Sequence, residues 1–147
     1  MATAEPAASY TPPLAPGAEI PRGDRICRHL KRKWLEADGL VTDRAFADRD
    51  HKSSADWLTG TATALAQLRR LKNHQPPNTT EKDKYVASAA FTTDFVDFAV
   101  PVTLDPVNEN PFHVVLRLDK FSKPERKTTI MRLLIHLNST ATHYYCK

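Results

Sequence analysis

Between Val100 and Asp119 apolar and polar residues alternate in two runs, one on each side of a segment from Asp105 to Pro111 that is rich in Asp, Pro and Asn. In the first run Val100, Val102 and Leu104 alternate with Pro101, Thr103 and Asp105. In the second, Phe112, Val114, Leu116 and Leu118 alternate with His113, Val115, Arg117 and Asp119. Successive side chains of a strand point to opposite faces, so period two predicts a hairpin with one oily face and one mixed face. Pro101 has no N–H for a ladder, which places the first strand at a sheet edge. Upstream, Val96, Phe98, Val100 and Val102 continue the alternation, and the strand is expected from about Thr93.

Elsewhere the pattern is helical. Ile26, Cys27, Leu30 and Trp34 fall within one arc of about 100° at helical spacing, predicting a basic amphipathic helix over 25–37. Asp24 is its N-cap and Gly39 its C-terminal glycine. That window is short enough for a strand to fit its start as well. A second helix over 54–73 rests on Trp57, Thr61, Ala64, Leu65, Leu68 and Leu71, with Ser53 or Ser54 as cap and Asp56 in the first turn. Pro76 and Pro77 stop it. A third, over 123–137, follows the capping-box pattern Ser122, Lys123, Pro124, Glu125. Residues 1–22, rich in Ala and Pro, read as a flexible leader, 23–147 as one domain, and the end of the chain as a short polar-aromatic tail. Helices and strands are segregated, so the expected fold class is α+β: a small antiparallel sheet centred on 93–119, packed by two or three helices.

Composition changes this picture little. The chain has 147 residues, 41% hydrophobic and 26% charged, enough for a core without staples. Its two cysteines, Cys27 and Cys146, are too few for a disulfide framework. With no apolar run of membrane length and no secretory pattern at the start, a cytoplasmic protein without a membrane span is expected. Asn78, Thr79 and Thr80, and Asn138, Ser139 and Thr140, match the glycosylation acceptor pattern, which carries little weight in that setting.

Charge is more informative in its placement. The net charge is +4, and Arg22, Arg25, Arg28, Lys31, Arg32 and Lys33 face Asp24 alone in one short segment. A basic amphipathic helix points to a phosphate backbone or an anionic surface, and a solvated surface helix explains it equally well.

The densest grouping of chemistry is on the mixed face of the hairpin. His113 and Arg117 share that face about 13 Å apart along the strand. There the histidine is a candidate general base, the arginine a phosphate or carboxylate holder, and Asp105 a candidate to orient the histidine. The bland alternative is a wet hairpin face with Asp105 and Asn108 bonding their own turn. Cys27 and His29 with His143 and Cys146 would make a Cys2His2 zinc set, but the spacing is unusual, and Cys27 falls on an apolar arc. No metal or cofactor is expected from the sequence. No glycine-rich phosphate loop or nucleophile elbow is present.

Three segments carry a resemblance. Gly39, Leu40 and Val41 followed by Ala45 and Phe46, then Ser54 with Trp57 and Leu58, then Leu104, Asp105, Pro106, Glu109, Asn110, Pro111 and His113 resemble a small bacterial protein family of uncharacterised function. Its members carry an Ala-Phe step, a Leu-Ser-Val-Asn-Trp-Leu segment and an Asn-Pro-x-His segment. This chain has Ser-Ser-Ala-Asp-Trp-Leu at the second. The resemblance implies no activity, only that Trp57, Asn110 and His113 belong to one design.

The function expected from these observations is an intracellular module that binds a protein partner. Arg25, Arg28, Arg32, Trp34, Asn108 and Asn110 are its candidate contacts. The alternative is a nucleic-acid-binding or nucleic-acid-processing protein that uses the basic segment with His113 and Arg117. Whether it is an enzyme is left open by the residues.

Overall fold

The computed structural model describes residues 14–58, 64–92, 100–107, 110–139 and 142–145. Among them the chain forms an α+β fold: one six-stranded antiparallel sheet and two helices. The strands are β1 (Ile26–Lys31), β2 (Lys52–Trp57), β3 (Tyr85–Phe91), β4 (Val102–Leu104), β5 (His113–Arg117) and β6 (Thr142–Tyr145). The helices are α1 (Ala64–Asn73) and α2 (Lys123–Ser139). The sheet order is β4-β5-β2-β1-β3-β6. No helix among the described residues is long and apolar enough to cross a membrane.

The β4–β5 hairpin and α2 form as their patterns predict. Val102, Thr103 and Leu104 pair with Leu116, Val115 and Val114. The strand containing Pro101's neighbour Val102 lies at the end of the sheet order. At the start of α2 the capping box closes reciprocally: Ser122 N–H donates to Glu125 Oε1 (3.1 Å) and Glu125 N–H to Ser122 Oγ (3.4 Å).

Three expectations are corrected. The segment 25–37 is not a helix: the strand that its short window also allowed forms instead, as β1, followed by a 3-10 turn over Arg32–Trp34. β1 is interior to the sheet, and residues on both of its faces are buried, so neither the helical nor the alternating period marks it cleanly. Gly39, at φ 90°, turns the chain between Leu35 and Val41, which bridge each other, rather than ending a helix. The segment 54–73 divides into β2 and α1, so Ser53 and Ser54 are strand residues and not caps. Finally, the hairpin sits at one side of the sheet, with β2 and β1 in its interior; the expected start of a strand near Thr93 lies outside the described residues. The chain's end adds a further strand, since β6 pairs with β3.

The β4 edge of the sheet holds the first described residues as well. Gly17 N–H donates to Leu104 O (2.7 Å), Leu104 N–H to Ala18 O (2.9 Å) and Ile20 N–H to Val102 O (2.9 Å). Ile20 is buried in the core, so the part of the leader from 17 to 20 is packed against β4 rather than loose.

One face of the sheet carries Ile26, Leu30, Ala55, Trp57, Val114, Leu116 and Phe91, packed with Phe46, Leu133 and Leu137 in the main core. Each Val, Leu, Ile or Phe among these contributes about 1.5–3 kcal/mol when fully buried. Arg28 lies on this same face, where its guanidinium crosses Trp34 at 4.8 Å. The opposite face is polar along β1, β2 and β5 and is partly covered by α1, which packs on β3. That uncovered polar stretch is where the chemistry collects.

Candidate functional site: a polar cleft on the uncovered face of the sheet

Residues directly paired across antiparallel strands share a face. The register pairs Cys27 with Asp56, His29 with Ser88, and Asp56 with His113. The polar face therefore carries one continuous row from β3 through β1 and β2 to β5. His29 Nε2 lies 2.5 Å from Asp56 Oδ2, and His29 Nδ1 lies 2.9 Å from Ser88 Oγ. Asn110, held in the hairpin connection, donates through Nδ2 to Asp56 Oδ1, while its own Oδ1 accepts from Phe112 N–H at 3.1 Å. Cys27 Sγ approaches His29 Nε2 at 3.9 Å. All five side chains are buried. Among the described residues every buried side-chain nitrogen and oxygen has a hydrogen-bond partner, as a low-dielectric polar network requires.

Because a carboxylate only accepts, Nε2 carries the proton toward Asp56. Nδ1 then accepts from the Ser88 hydroxyl in the neutral ring and donates to it in the protonated one. The order Ser88, His29, Asp56 has the parts of a nucleophilic triad. Yet Ser88 is 0% exposed, so no substrate meets its hydroxyl. Cys27 is equally closed: burial, reinforced by the charge of Asp56, pushes its thiol up to about 12. Neither is a nucleophile. His29 and Asp56 instead form the floor of a cleft of about 250 Å3, walled by Asn110, His113, Arg70 and Leu71.

His113 is the residue on the rim that has a fixed tautomer. Its Nδ1 donates to the Asp105 carbonyl at 2.8 Å, with Asp105 Oδ2 at 3.4 Å, so the neutral ring has Nε2 as its acceptor. The histidine and the acid expected to orient it are thus brought together. Arg117 is not brought to the same cleft. It makes a two-pronged ion pair with Asp119, both contacts at 2.8 Å, and with His113, Lys52, Thr103 and Asp105 lines a neighbouring groove of about 450 Å3.

The basic segment does not form one surface. Arg28 is buried: Nε and Nη2 donate to Ala45 O, Nη1 donates to Ser54 O, and Nη2 lies 3.4 Å from Asp48. Burial pushes its guanidinium below the usual range, opposed by Asp48. Arg32 is exposed beside Glu81 at 3.9 Å, Lys33 pairs with Asp83 at 2.7 Å, and Lys31 lies over Trp34 and Tyr85. Arg25 is exposed and Trp34 is half-buried beneath Arg28. Asn108 lies outside the described residues.

Sequence reasoning found Asn110, His113 and Asp105 but missed His29, Asp56 and Ser88 as a site. The available signal was Cys27-x-His29: two residues apart on a strand they share a face, whereas on the expected helix they diverge by about 200°. Comparison of the chain with protein-family models, curated proteins and solved structures finds no match.

Proposed function

We propose that the protein binds a small anionic molecule in the cleft above β2 and β5 and moves a proton on it, with His113 as general base. The observation that carries this reading is the anchoring of His113 Nδ1 on the Asp105 carbonyl, which makes Nε2 the basic nitrogen of a residue that lines the cleft. Arg70 supplies a cation on the opposite wall from α1, suited to a phosphate or carboxylate. Asn110 ties the hairpin connection to the buried His29–Asp56 pair, so the wall and the floor are one rigid unit. The test is a thermal-shift and NMR screen of small phosphates and carboxylates. A binder should protect the wild type, lose affinity in Arg70→Ala, and keep binding but lose turnover in His113→Ala. Absence of any binder whose signals map to Arg70 or His113 would sink the reading.

A second reading, binding of a protein partner, is favoured by a different surface. Met131 is 56% exposed and Ile135 68% exposed on α2. Met131 borders an apolar groove of about 670 Å3 lined by Phe46, Ile130 and Leu134, with Lys123, Lys127, Asp43 and Asp48 among its polar residues. Its chemistry suits the apolar face of an amphipathic peptide segment. Met131→Asp should abolish capture of such a peptide without changing the cleft.

A further inference from the structure

Three of the buried polar side chains at the floor of the cleft share one chemical property. Cys27, His29 and Asp56 each offer one metal-ligand atom, all three atoms lie within 4.8 Å of one another, and all three residues are buried. A sulfur, an imidazole nitrogen and a carboxylate oxygen are the donor types that hold zinc. We propose that Cys27, His29 and Asp56 bind a divalent zinc-class metal ion through Sγ, Nε2 and Oδ2, with a remaining coordination position on the side where His29 and Asp56 line the cleft.

The fold builds this trio rather than gathering it by chance of side-chain length. Cys27 and His29 are two apart on β1 and so share a face, and Asp56 is the cross-strand partner of Cys27. Each of the two polar ligands also has the outer partner that metal sites use. A histidine that ligates through Nε2 carries its proton on Nδ1 and donates it to a neighbour, and Ser88 Oγ stands 2.9 Å from Nδ1. A ligating carboxylate is steadied through its other oxygen, and Asn110 Nδ2 donates to Asp56 Oδ1.

Charge is satisfied as well. A thiolate and a carboxylate together neutralise a divalent ion, leaving no net charge in the buried floor. On binding, the Cys27 thiol proton leaves to solvent, and the imidazole proton is relocated from Nε2 to Nδ1, where Ser88 accepts it. The Sγ to Nε2 separation of 3.9 Å is close to the roughly 3.6 Å that tetrahedral zinc bond lengths imply. The 2.5 Å contact between Nε2 and Oδ2 is a proton-bridged one and must open by roughly 0.8 Å to admit the ion. Cys146 and His143, the other half of the spacing-based zinc set, are not needed. β6 pairs His143 with Ala89, one position out of step with Ser88, the partner of His29.

This proposal stands on the donor set and goes beyond the ligand reading, so its test uses no small molecule other than the metal. The full chain, stripped with a chelator and titrated with Co2+, should take up one equivalent and show a thiolate-to-cobalt charge-transfer band with tetrahedral ligand-field bands. Cys27→Ser should abolish the charge-transfer band and Asp56→Asn should weaken uptake, whereas Cys146→Ser should change neither. Asn110→Ala, which removes an outer partner, should weaken affinity by about 10- to 100-fold. X-ray absorption on the zinc-loaded wild type reads the donors without any variant, and one sulfur among nitrogen and oxygen is expected. No uptake by the folded wild type, a shell without sulfur, or a charge-transfer band that survives Cys27→Ser would overturn the proposal.

Discussion

The guanidinium of Arg28 directs two donors at one acceptor, the Ala45 carbonyl, at 3.2 Å from Nε and 2.7 Å from Nη2. With Ser54 O and Asp48 completing its shell and Trp34 beneath its plane, it joins β1 to the Asp43–Phe46 turn and to β2. An arginine that scanned as part of a nucleic-acid surface is a structural crosslink. Arg28→Ala should therefore cost about 3 kcal/mol, because it strips partners from buried carbonyls and from Asp48. Arg32→Ala, at an exposed and loosely paired site, should stay within about 0.5 kcal/mol of wild type. Urea denaturation of both variants separates the two outcomes; equal effects would contradict the assignment.

Cys27 should resist alkylation. With its thiol held near 12, primarily by burial, the thiolate is scarce at about pH 8. In a Cys146→Ser background, native protein should react with iodoacetamide far more slowly than protein in urea. A rate equal to that of the unfolded chain would show Cys27 to be open.

Arg117 and Asp119 give a pH signature. Asp119 is held down at about 2, primarily by the Arg117 hydrogen bonds. Its folded pKa lies below the unfolded value, so its stabilisation is present above about pH 4 and is lost as pH falls through about 2. The pair is partly solvated, and the expected contribution is about 1 kcal/mol. Asp119→Asn should show that deficit at neutral pH and converge with wild type below about pH 2, measured by denaturation across pH. A deficit unchanged at low pH would assign it to packing instead.

Asn138 clamps a strand-like segment from the end of α2. Its Oδ1 accepts from Val41 N–H at 2.8 Å and its Nδ2 donates to Val41 O at 3.1 Å. Asn138→Ala should cost about 1–2 kcal/mol, and Asn138→Asp, which keeps only the acceptor, should lie between. Glycan attachment at Nδ2 would crowd the bond that this nitrogen donates to Val41 O. Thermal denaturation of the two variants in parallel checks the ordering.

What was legible in the sequence was the periphery. The hairpin alternates cleanly because its oily face meets the core and its other face meets water, and α2 announces itself through Ser122 and Glu125. The interior strands were not legible. β1 and β2 bury polar residues on both faces, Arg28 and Ser53 on one and His29 and Asp56 on the other. Interior burial removes the alternation by which a half-exposed strand is recognised. Ser53 and Asp56 looked like a cap and a first-turn acid because those residue types serve both roles. The site was hidden for the same reason: its floor is built from the two strands whose pattern was misleading, whereas His113 and Asp105 sat on the hairpin that was read correctly.

The short strand β4 carries one more consequence. Three residues long, it would present bare N–H and C=O groups to any passing strand, but Gly17, Ala18 and Ile20 occupy those positions, and Ile20 seals them with an apolar plug. The stretch that composition marks as dispensable is thus a guard against intermolecular strand addition. A chain shortened to begin after Ile20 would uncover the β4 edge, and its expected behaviour is self-association through that edge.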